Sequence, residues 1–151
     1  MTNIYLLLGT NIGNLSENLA NARQLLTKNN ITILKQSKLY QTKPWGVLDQ
    51  PDFLNQVIEI ETDFLPFELL DFTQNIEKKM GRIKLRKWGE RIIDIDILAF
   101  DDVIIEHEKL TLPHPHAHTR DFTLIPWAEI APDFVHIQLQ KTILSLLQEL
   151  T

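Results

Sequence analysis

Apolar and polar positions along the first half of the chain predict a helix and three strands. The apolar run over 4–8 is typical of a strand that is buried on both faces. Apolar residues at helical spacing predict a helix over 15–28. The segment 31–40 alternates enough to predict a strand, a loop over 42–51 follows it, and 53–62 is the next predicted strand.

The second half begins with an amphipathic helix over 65–80, which has Pro66 in its first turn and ends at Gly81. A basic segment over 82–91 is the expected loop after this helix, and a strand over 92–100 follows it. We expect the chain to turn after it into a short partner strand over 103–105.

A Pro- and His-rich connection over 112–118, an apolar segment over 120–130 and a helix over 142–150 complete the chain. The order strand, helix, strand, strand, helix, strand predicts an α+β fold with a ferredoxin-like split βαβ core. In that fold the sheet is mostly antiparallel and helices cover both faces. No internal repeat or linker interrupts the pattern, so we expect a single domain over 1–151.

The composition is that of a folded domain and narrows the function classes. The 151 residues are 44% hydrophobic and 23% charged, and they include no Cys, which excludes disulfides and thiolate metal sites. The N-terminus lacks the basic region of a signal peptide and no apolar run reaches the ~20 residues of a membrane span, so a cytoplasmic protein is expected. The net charge of −5 argues against a nucleic-acid partner.

The positive charge is unevenly distributed. Seven of the fifteen Lys and Arg residues fall within 78–91: Lys78, Lys79, Arg82, Lys84, Arg86, Lys87 and Arg91. An acidic chain with one basic segment suggests a local anion-binding patch.

Asp94 and Asp96 are the sharpest chemical signal in the sequence. On a strand, the i, i+2 spacing puts both carboxylates on one face, while Ile95 packs the other. One interpretation is a solvated sheet face on which the carboxylates pair with lysines. The other is a Mg²⁺ site next to the basic segment, an arrangement that suits a polyphosphate substrate.

The segment 87–98 (KWGERIIDIDIL) resembles the signature of the 6-hydroxymethyl-7,8-dihydropterin pyrophosphokinase family. Further blocks resemble that family in the same order, and together they cover nearly the whole chain: Leu8–Asn11, Thr42–Gly46, Asp49–Asn55, Gly81–Arg82, Leu112–His114 and Arg120–Phe122. The resemblance implies a ferredoxin-like fold and a transferase of the folate pathway, which moves a pyrophosphoryl group from ATP to a pterin alcohol.

The resemblance also implies roles at the phosphate end of the site. Asp94 and Asp96 would hold two Mg²⁺ ions, and Arg82 and Arg91 would be catalytic residues that grip the triphosphate. The other residues that match ATP-binding positions are Lys84, Lys87, Trp88, Ile97, Lys109, Thr111, His114 and Arg120. Lys84, Lys87 and Lys109 stand where the family often has Arg, and Lys lacks the bidentate fork of Arg, so weaker ATP binding is expected.

At the other end, the resemblance implies that Phe53 and Phe122 sandwich the pterin ring. Asn55 would read the hydrogen-bonding edge of the ring, and Asp94 would also contact the pterin. Residues near the loop would contribute as well: Thr42, Lys43 and Trp45. Position 53 is Phe where the family often has Tyr, which keeps stacking and removes a hydroxyl.

Two local patterns have competing interpretations. His114, His116 and His118 could hold a metal, but without Cys a complete zinc site is disfavoured and only His114 matches the family. The turn from Gly9 to Gly13 lacks the Lys and Ser or Thr of a phosphate-binding loop. Its expected role is to shape the turn into the first helix, next to the pterin pocket.

Two other functions remain as alternatives. A nucleotidyltransferase also uses a D-x-D strand, but its Gly turn lies close upstream, whereas Gly9 lies far from Asp94. A single-stranded RNA-binding module could display Phe53 and Phe122 as stacking platforms, although the acidic charge speaks against it. The expected partners are therefore two small molecules, ATP and the pterin, with neither nucleic acid nor membrane, and the expected state is a monomer.

Overall fold

The computed structural model describes residues 3–44, 46, 48–81 and 92–151. Its elements, in chain order, are β1 (Ile4–Thr10), α1 (Leu15–Thr27), β2 (Ile31–Gln36), β3 (Tyr40–Thr42), β4 (Phe53–Thr62), α2 (Pro66–Lys79), β5 (Asp94–Phe100), β6 (Ile105–Glu106), β7 (Thr111–Leu112), a 3-10 turn (Ala117–Thr119), α3 (Asp121–Ile130), β8 (Val135–His136), β9 (Lys141–Thr142) and α4 (Ile143–Leu150).

The main sheet has the strand order β2-β4-β1-β5, and β3 extends along β4. All the neighbouring strands run antiparallel. β1 therefore lies between β4 and β5, and all of its residues are buried, as its apolar run predicts. This strand order confirms the α+β ferredoxin-like prediction.

Each face of the sheet has its own hydrophobic core. On one face α1 and α2 pack through Leu19, Leu69 and Ile76 against Leu6 and Ile58. On the other face α3 and α4 supply a second core: Leu124, Trp127, Ile143 and Leu146, packed on Tyr5, Leu7 and Val57. Because side chains alternate along a strand, this division decides which residues face α3.

The predicted ends of the first two helices are confirmed. The side chain of Asn14 accepts a hydrogen bond from the backbone N–H of Glu17 and caps α1. Pro66 is in the first turn of α2, where its missing N–H costs little. Gly81 follows α2 with a φ of +82°, a conformation that glycine adopts without a Cβ penalty.

The single strand predicted over 31–40 is wrong, because the chain breaks between β2 and β3. Ser37 lies at the break, where its hydroxyl accepts a 3.1 Å hydrogen bond from the N–H of Val57. The amide of Gln56 donates to the carbonyl of Ser37 at 2.7 Å. The N–H of Ser37 still donates to the carbonyl of Val57 at 2.9 Å, so the side-chain bonds supplement one backbone bond at the break. β3 then resumes the pairing, so that Thr42 lies in a strand rather than a loop.

The hairpin predicted over 103–105 is also wrong. Asp101 turns the chain with a φ of +54°, but the next strand, β6, pairs with β7 rather than with β5. A different segment uses the outer edge of β5, since the N–H of His114 donates to the carbonyl of Leu98 at 2.9 Å. Sequence periodicity does not reveal such long-range competition for a strand edge.

The C-terminal part confirms the helix predicted over 142–150, shows that the apolar segment over 120–130 forms the helix α3, and adds the β8–β9 hairpin between them. The side chain of Thr142 caps α4 by accepting from the N–H of Ser145 at 3.1 Å. Among the residues with described structure, no helix has the length and apolar character needed to cross a membrane.

Candidate active site

Three strands bring the candidate residues together on the face that α3 covers. Gly9 of β1 lies opposite Asn55 of β4 on one side and opposite Asp94 of β5 on the other. Directly opposed residues of antiparallel strands point to the same face. Asn55 and Asp94 therefore flank a position without a side chain, and the alternation of β4 puts Phe53 on this face too.

Gly9 is a member of β1 and not of the following turn, which corrects the role expected for it. A Cβ at this position would lie 2.8 Å from Oδ1 of Asn55 and 3.7 Å from Cδ1 of Phe53. The close approach of the Asn55 amide therefore requires glycine here. The result is a shallow hollow in the sheet, bounded by an amide on one side and a carboxylate on the other.

The orientation of Asn55 is fixed by β3. Its amide nitrogen donates a 2.6 Å hydrogen bond to the hydroxyl of Thr42. Asn55 is only 3% exposed, and a buried amide needs a hydrogen-bond partner. Thr42 is that partner, and the bond leaves Oδ1 of Asn55 near the hollow. Lys43 follows β3 and is exposed, whereas Trp45 lies outside the described residues.

Asp96 of β5 lies two residues beyond Asp94, and both side chains are half-buried. The Nε2 atom of His114 is 3.9 Å from Oδ2 of Asp96. Nδ1 of His114 accepts from the N–H of His116 at 3.2 Å, so its ring carries its proton on Nε2, toward Asp96. Burial and the nearby charge of Arg120 lower the pKa of His114 to about 4, so that the ring is neutral at pH 7.

Arg120 adds a buried positive charge to this face. It is 5% exposed and directly precedes α3. Burial lowers its pKa, and the charges of Asp96 and Asp94 oppose that shift. Its guanidinium carbon is 5.4 Å from the ring centre of Phe122, within the range of a cation–π contact. Arg120 therefore links the carboxylates of β5 to the aromatic ring that α3 contributes.

Sequence reasoning missed Glu77 of α2. Its side chain is 3% exposed, and Oε2 accepts a 2.8 Å hydrogen bond from the N–H of Ile95, between the two aspartates. β5 is at the edge of the main sheet, so a side chain supplies the acceptor that another strand would otherwise provide. The available signal was a Glu on the apolar face of an amphipathic helix, next to Ile76.

A second buried pair was missed at the other end of the site. The amide nitrogen of Asn11 donates to Oε1 of Gln50 at 2.9 Å and to the carbonyl of Pro51 at 3.0 Å. Asn11 and Gln50 are 3% and 9% exposed. This contact connects the end of β1 to the loop before β4, and so holds the chain just before β4 begins at Phe53.

The remaining predicted ATP-binding residues have different positions. The side chain of Ile97 is buried in the core under α1 and α2, so only its main chain could serve a ligand on the α3 face. Lys109 and Thr111 lie in the β6–β7 hairpin, where the N–H of Lys109 donates to Nδ1 of His107 at 3.0 Å. The predicted residues that lie outside the described part are Arg82, Lys84, Lys87, Trp88 and Arg91.

The donor set fits Mg²⁺ better than a cation that needs a complete protein cage. Within residues 3–81 and 92–151, apart from the gaps at 45 and 47, no three His, Cys, Asp or Glu side chains gather into a metal-binding cluster. Asp94 and Asp96 are two hard oxygen donors on one face. Mg²⁺ commonly takes one or two carboxylates and completes its shell with water and substrate phosphates.

Comparison with known families identifies the family to which this chain belongs. The family model described as 7,8-dihydro-6-hydroxymethylpterin-pyrophosphokinase (HPPK) matches residues 5–132. The chain belongs to the HPPK family. This match spans every described residue of the candidate site and confirms the family resemblance. The HPPK chain is accordingly a pyrophosphokinase, a transferase of folate biosynthesis.

Named relatives agree with the HPPK assignment over most of the chain. A 2-amino-4-hydroxy-6-hydroxymethyldihydropteridine pyrophosphokinase of Haemophilus influenzae is 43% identical over 136 residues, which is 89% of this chain and 85% of the relative. The protein of that name from Bacillus subtilis is 46% identical over 132 residues, 86% of this chain and 79% of the relative.

Solved structures of the two-part protein HPPK-DHPS share the fold. The structure of Plasmodium falciparum HPPK-DHPS with pteroate superposes with a TM-score of 0.79 at 18% identity, and the match covers 99% of this chain. This chain spans 44% of that longer chain. At this identity the likeness establishes the HPPK fold alone.

Proposed function

We propose that this HPPK chain transfers the pyrophosphoryl group of ATP to the hydroxymethyl oxygen of 6-hydroxymethyl-7,8-dihydropterin, with Mg²⁺, and releases AMP. The observation that carries the proposal is the register of three strands, in which Gly9 lies between Asn55 and Asp94. In this proposal the space over Gly9 is the pterin slot, and the carboxylates of Asp94 and Asp96 lie beside it on the same face.

The pterin would lie over Gly9, between Phe53 and Phe122. Stacking between aromatic groups adds about 0.5–1.5 kcal/mol beyond burial of area. Asn55, oriented by Thr42, would supply polar contacts to the ring edge. Lys43 and Trp45 are proposed contacts from the adjoining loop. The absence of a side chain at position 9 supports this placement, because a flat ring needs the clearance.

Asp94 and Asp96 would hold two Mg²⁺ ions, which would neutralise phosphate charge and favour in-line attack. Asp94 would also lie nearest to the hydroxymethyl group, because its register places it beside the slot. The support for this metal is the pair of hard oxygen donors, together with a neutral His114 that adds no positive charge against a cation.

Cationic side chains around the carboxylates would bind the triphosphate. Among the described residues, Arg120 is a cation that is buried on this face. The other proposed contacts along the nucleotide are His114, Lys109, Thr111 and the main chain of Ile97. The proposal extends to residues outside the described part: Arg82 and Arg91 as catalytic residues, with Lys84, Lys87 and Trp88 as further ATP contacts. Dispersed positive charge of this kind stabilises the charge of a phosphoryl-transfer transition state.

The proposed step balances without a covalent intermediate. A bond forms between the hydroxymethyl oxygen and the β-phosphorus of ATP, and the bond from that phosphorus to the oxygen bridging to the α-phosphate breaks. AMP leaves with the bridging oxygen and its electron pair, and the hydroxyl proton passes to solvent. The protein contributes orientation, water exclusion and charge stabilisation.

The test is to incubate the protein with ATP and Mg²⁺, with and without 6-hydroxymethyl-7,8-dihydropterin, and to separate the nucleotide and pterin products by chromatography. AMP that forms only with the pterin, in equal amount to a pterin diphosphate, is the expected result. Release of pyrophosphate instead of AMP would indicate nucleotidyl transfer. Binding of ATP without AMP formation would exclude this pterin alcohol as the acceptor.

A further inference from the structure

A carboxylate at the far end of α3 ties that helix to the strands under the candidate pterin slot. The backbone N–H of Lys38 donates to both carboxylate oxygens of Glu129, at 3.2 and 3.1 Å. The hydroxyl of Tyr40 donates to Oε1 of Glu129 at 2.5 Å, and this bond raises the pKa of Tyr40. Two consecutive parts of the chain, the β2–β3 break and the start of β3, thus converge on one side chain of α3.

The contact between Glu129 and Tyr40 joins the same two elements, α3 and β3, that carry residues of the proposed pterin slot. Tyr40 lies opposite Asn55 in the sheet, two residues before Thr42, so both β3 side chains point to the α3 face. On α3, Phe122 and Glu129 are seven residues apart. Seven residues make nearly two helical turns, so both side chains share one face of the helix, about 10 Å apart along its axis.

The end of α3 that carries Phe122 lacks one of the backbone hydrogen bonds that a regular helix makes. Pro126 is inside α3 and has no N–H, so it cannot donate to the carbonyl of Phe122 as a residue four positions later normally does. The placement of the Phe122 ring therefore depends more on contacts between α3 and the sheet. Glu129 supplies such a contact at one end of the helix, and Arg120 lies at the other.

We propose that Glu129 and Tyr40 are positioning residues for the pterin: their contact sets α3 over β3 and β4, and so fixes the separation of Phe122 from Phe53 and Asn55. This inference rests on the proposed function. The substrate class it concerns is a flat, bicyclic heteroaromatic ring held between two aromatic side chains. Neither Glu129 nor Tyr40 touches the substrate in this arrangement.

A contact that only stabilised the fold would behave differently. Glu129 is exposed, and hydrogen bonds and ion pairs at exposed carboxylates contribute little to the free energy of unfolding. A small change in the angle of α3 would nevertheless alter ring stacking, which depends on the separation of the two aromatic groups. The proposal therefore predicts a loss of pterin affinity that is larger than the loss of stability suggests.

The experiment compares Tyr40→Phe, Glu129→Ala, Glu129→Gln and the double variant Tyr40→Phe/Glu129→Ala. The dissociation constant of 6-hydroxymethylpterin is measured by its fluorescence with a non-hydrolysable ATP analogue present, and that of the analogue is measured separately. Glu149→Ala is the matched control, since Glu149 of α4 is another exposed carboxylate and is paired with Lys141 at 2.9 Å rather than with β3.

Glu129→Ala should weaken pterin binding about tenfold, raise KM for the pterin more than it lowers kcat, and leave the affinity for the ATP analogue within about twofold. Glu129→Gln should restore part of the affinity because an amide oxygen still accepts from Lys38 and Tyr40. The double variant should be no worse than Glu129→Ala, since both changes break one contact.

Three outcomes separate the possibilities. Pterin affinities equal to that of Glu149→Ala would overturn the positioning role. Equal losses of pterin and nucleotide affinity, in parallel with a lower Tm, would also overturn it and assign the contact to general stability. A wild-type protein that neither binds the pterin nor forms AMP with it would instead show that the proposed function is wrong.

Discussion

The position that a Cβ of Gly9 would occupy is 2.8 Å from Oδ1 of Asn55. Real Cβ atoms essentially never approach another heavy atom this closely, so the two residues are matched across β1 and β4. The Asn55 amide is held by Thr42 and has little freedom to withdraw. The floor of the candidate pterin slot is therefore backbone, and a side chain there would disturb the amide that faces the ring edge.

Gly9→Ala is expected to reduce pterin affinity at least tenfold, because the added methyl group displaces Asn55 and occupies the space over the strand. Binding of the ATP analogue should change much less. The check is the same pterin titration, repeated in an Asn55→Ala background. There the alanine at position 9 meets no amide, so its additional effect should shrink; an undiminished effect would contradict the clash as the cause.

Asp94→Asn and Asp96→Asn should each reduce the rate of AMP formation more than 100-fold while the protein stays folded. Both substitutions keep the size of the side chain and remove one negative charge, which relieves repulsion from the other carboxylate but also weakens the attraction to the buried charge of Arg120. Asp102→Asn is the control, since Asp102 is an exposed carboxylate just beyond β5. Near-normal rates in either Asp94 or Asp96 variant would rule out the proposed metal-binding role of that residue.

Glu77→Ala should lower the free energy of unfolding by about 1–3 kcal/mol, because it removes the acceptor for the buried N–H of Ile95. Turnover should fall as well, since Ile95 separates the two aspartates whose placement the proposed reaction needs. Denaturant unfolding and AMP formation are the measurements. Glu77→Gln keeps an acceptor oxygen and should be milder, and Asp71→Ala, on the exposed face of the same helix, should change neither quantity.

Stability should fall as the pH decreases below about 6.5, partly because of His136. Burial lowers its pKa from the ordinary value of 6.5, with the positive charge of His118 as a second cause, and its Nδ1 accepts a 3.2 Å hydrogen bond from the N–H of Leu139. A histidine with a lowered pKa in the folded state binds its proton more readily when unfolded. The stability it contributes is therefore complete above pH 6.5 and is lost on acidification.

The measurement is the free energy of unfolding between pH 7.5 and 5, about one unit or more on either side of that value, in the wild type and in His136→Gln. The variant should be less stable at pH 7 and should show a weaker pH dependence. His107→Gln, at an exposed histidine, provides the comparison. An unchanged slope in His136→Gln would assign the acid sensitivity to other groups.

The sequence by itself determined the elements that depend on local periodicity and on the residues that begin or end a helix or strand. The bounds of β4 match the strand predicted over 53–62, and those of α2 follow from helical spacing between Pro66 and Gly81. The shared face of Asp94 and Asp96 follows from their spacing alone. The family motifs also suggested Phe53, Asn55 and Phe122 as candidate site residues before any contact was known.

Only the tertiary structure decided which distant segments meet. Gly9 looks like a turn residue in the sequence, but strand pairing places it between Asn55 and Asp94. Glu77 looks like an ordinary helix charge until α2 packs on β5 and an edge N–H needs an acceptor. The physical reason is the same in both cases: local propensity decides helix or strand, whereas strand order, register and the partners of buried polar groups depend on competition among segments far apart in the chain.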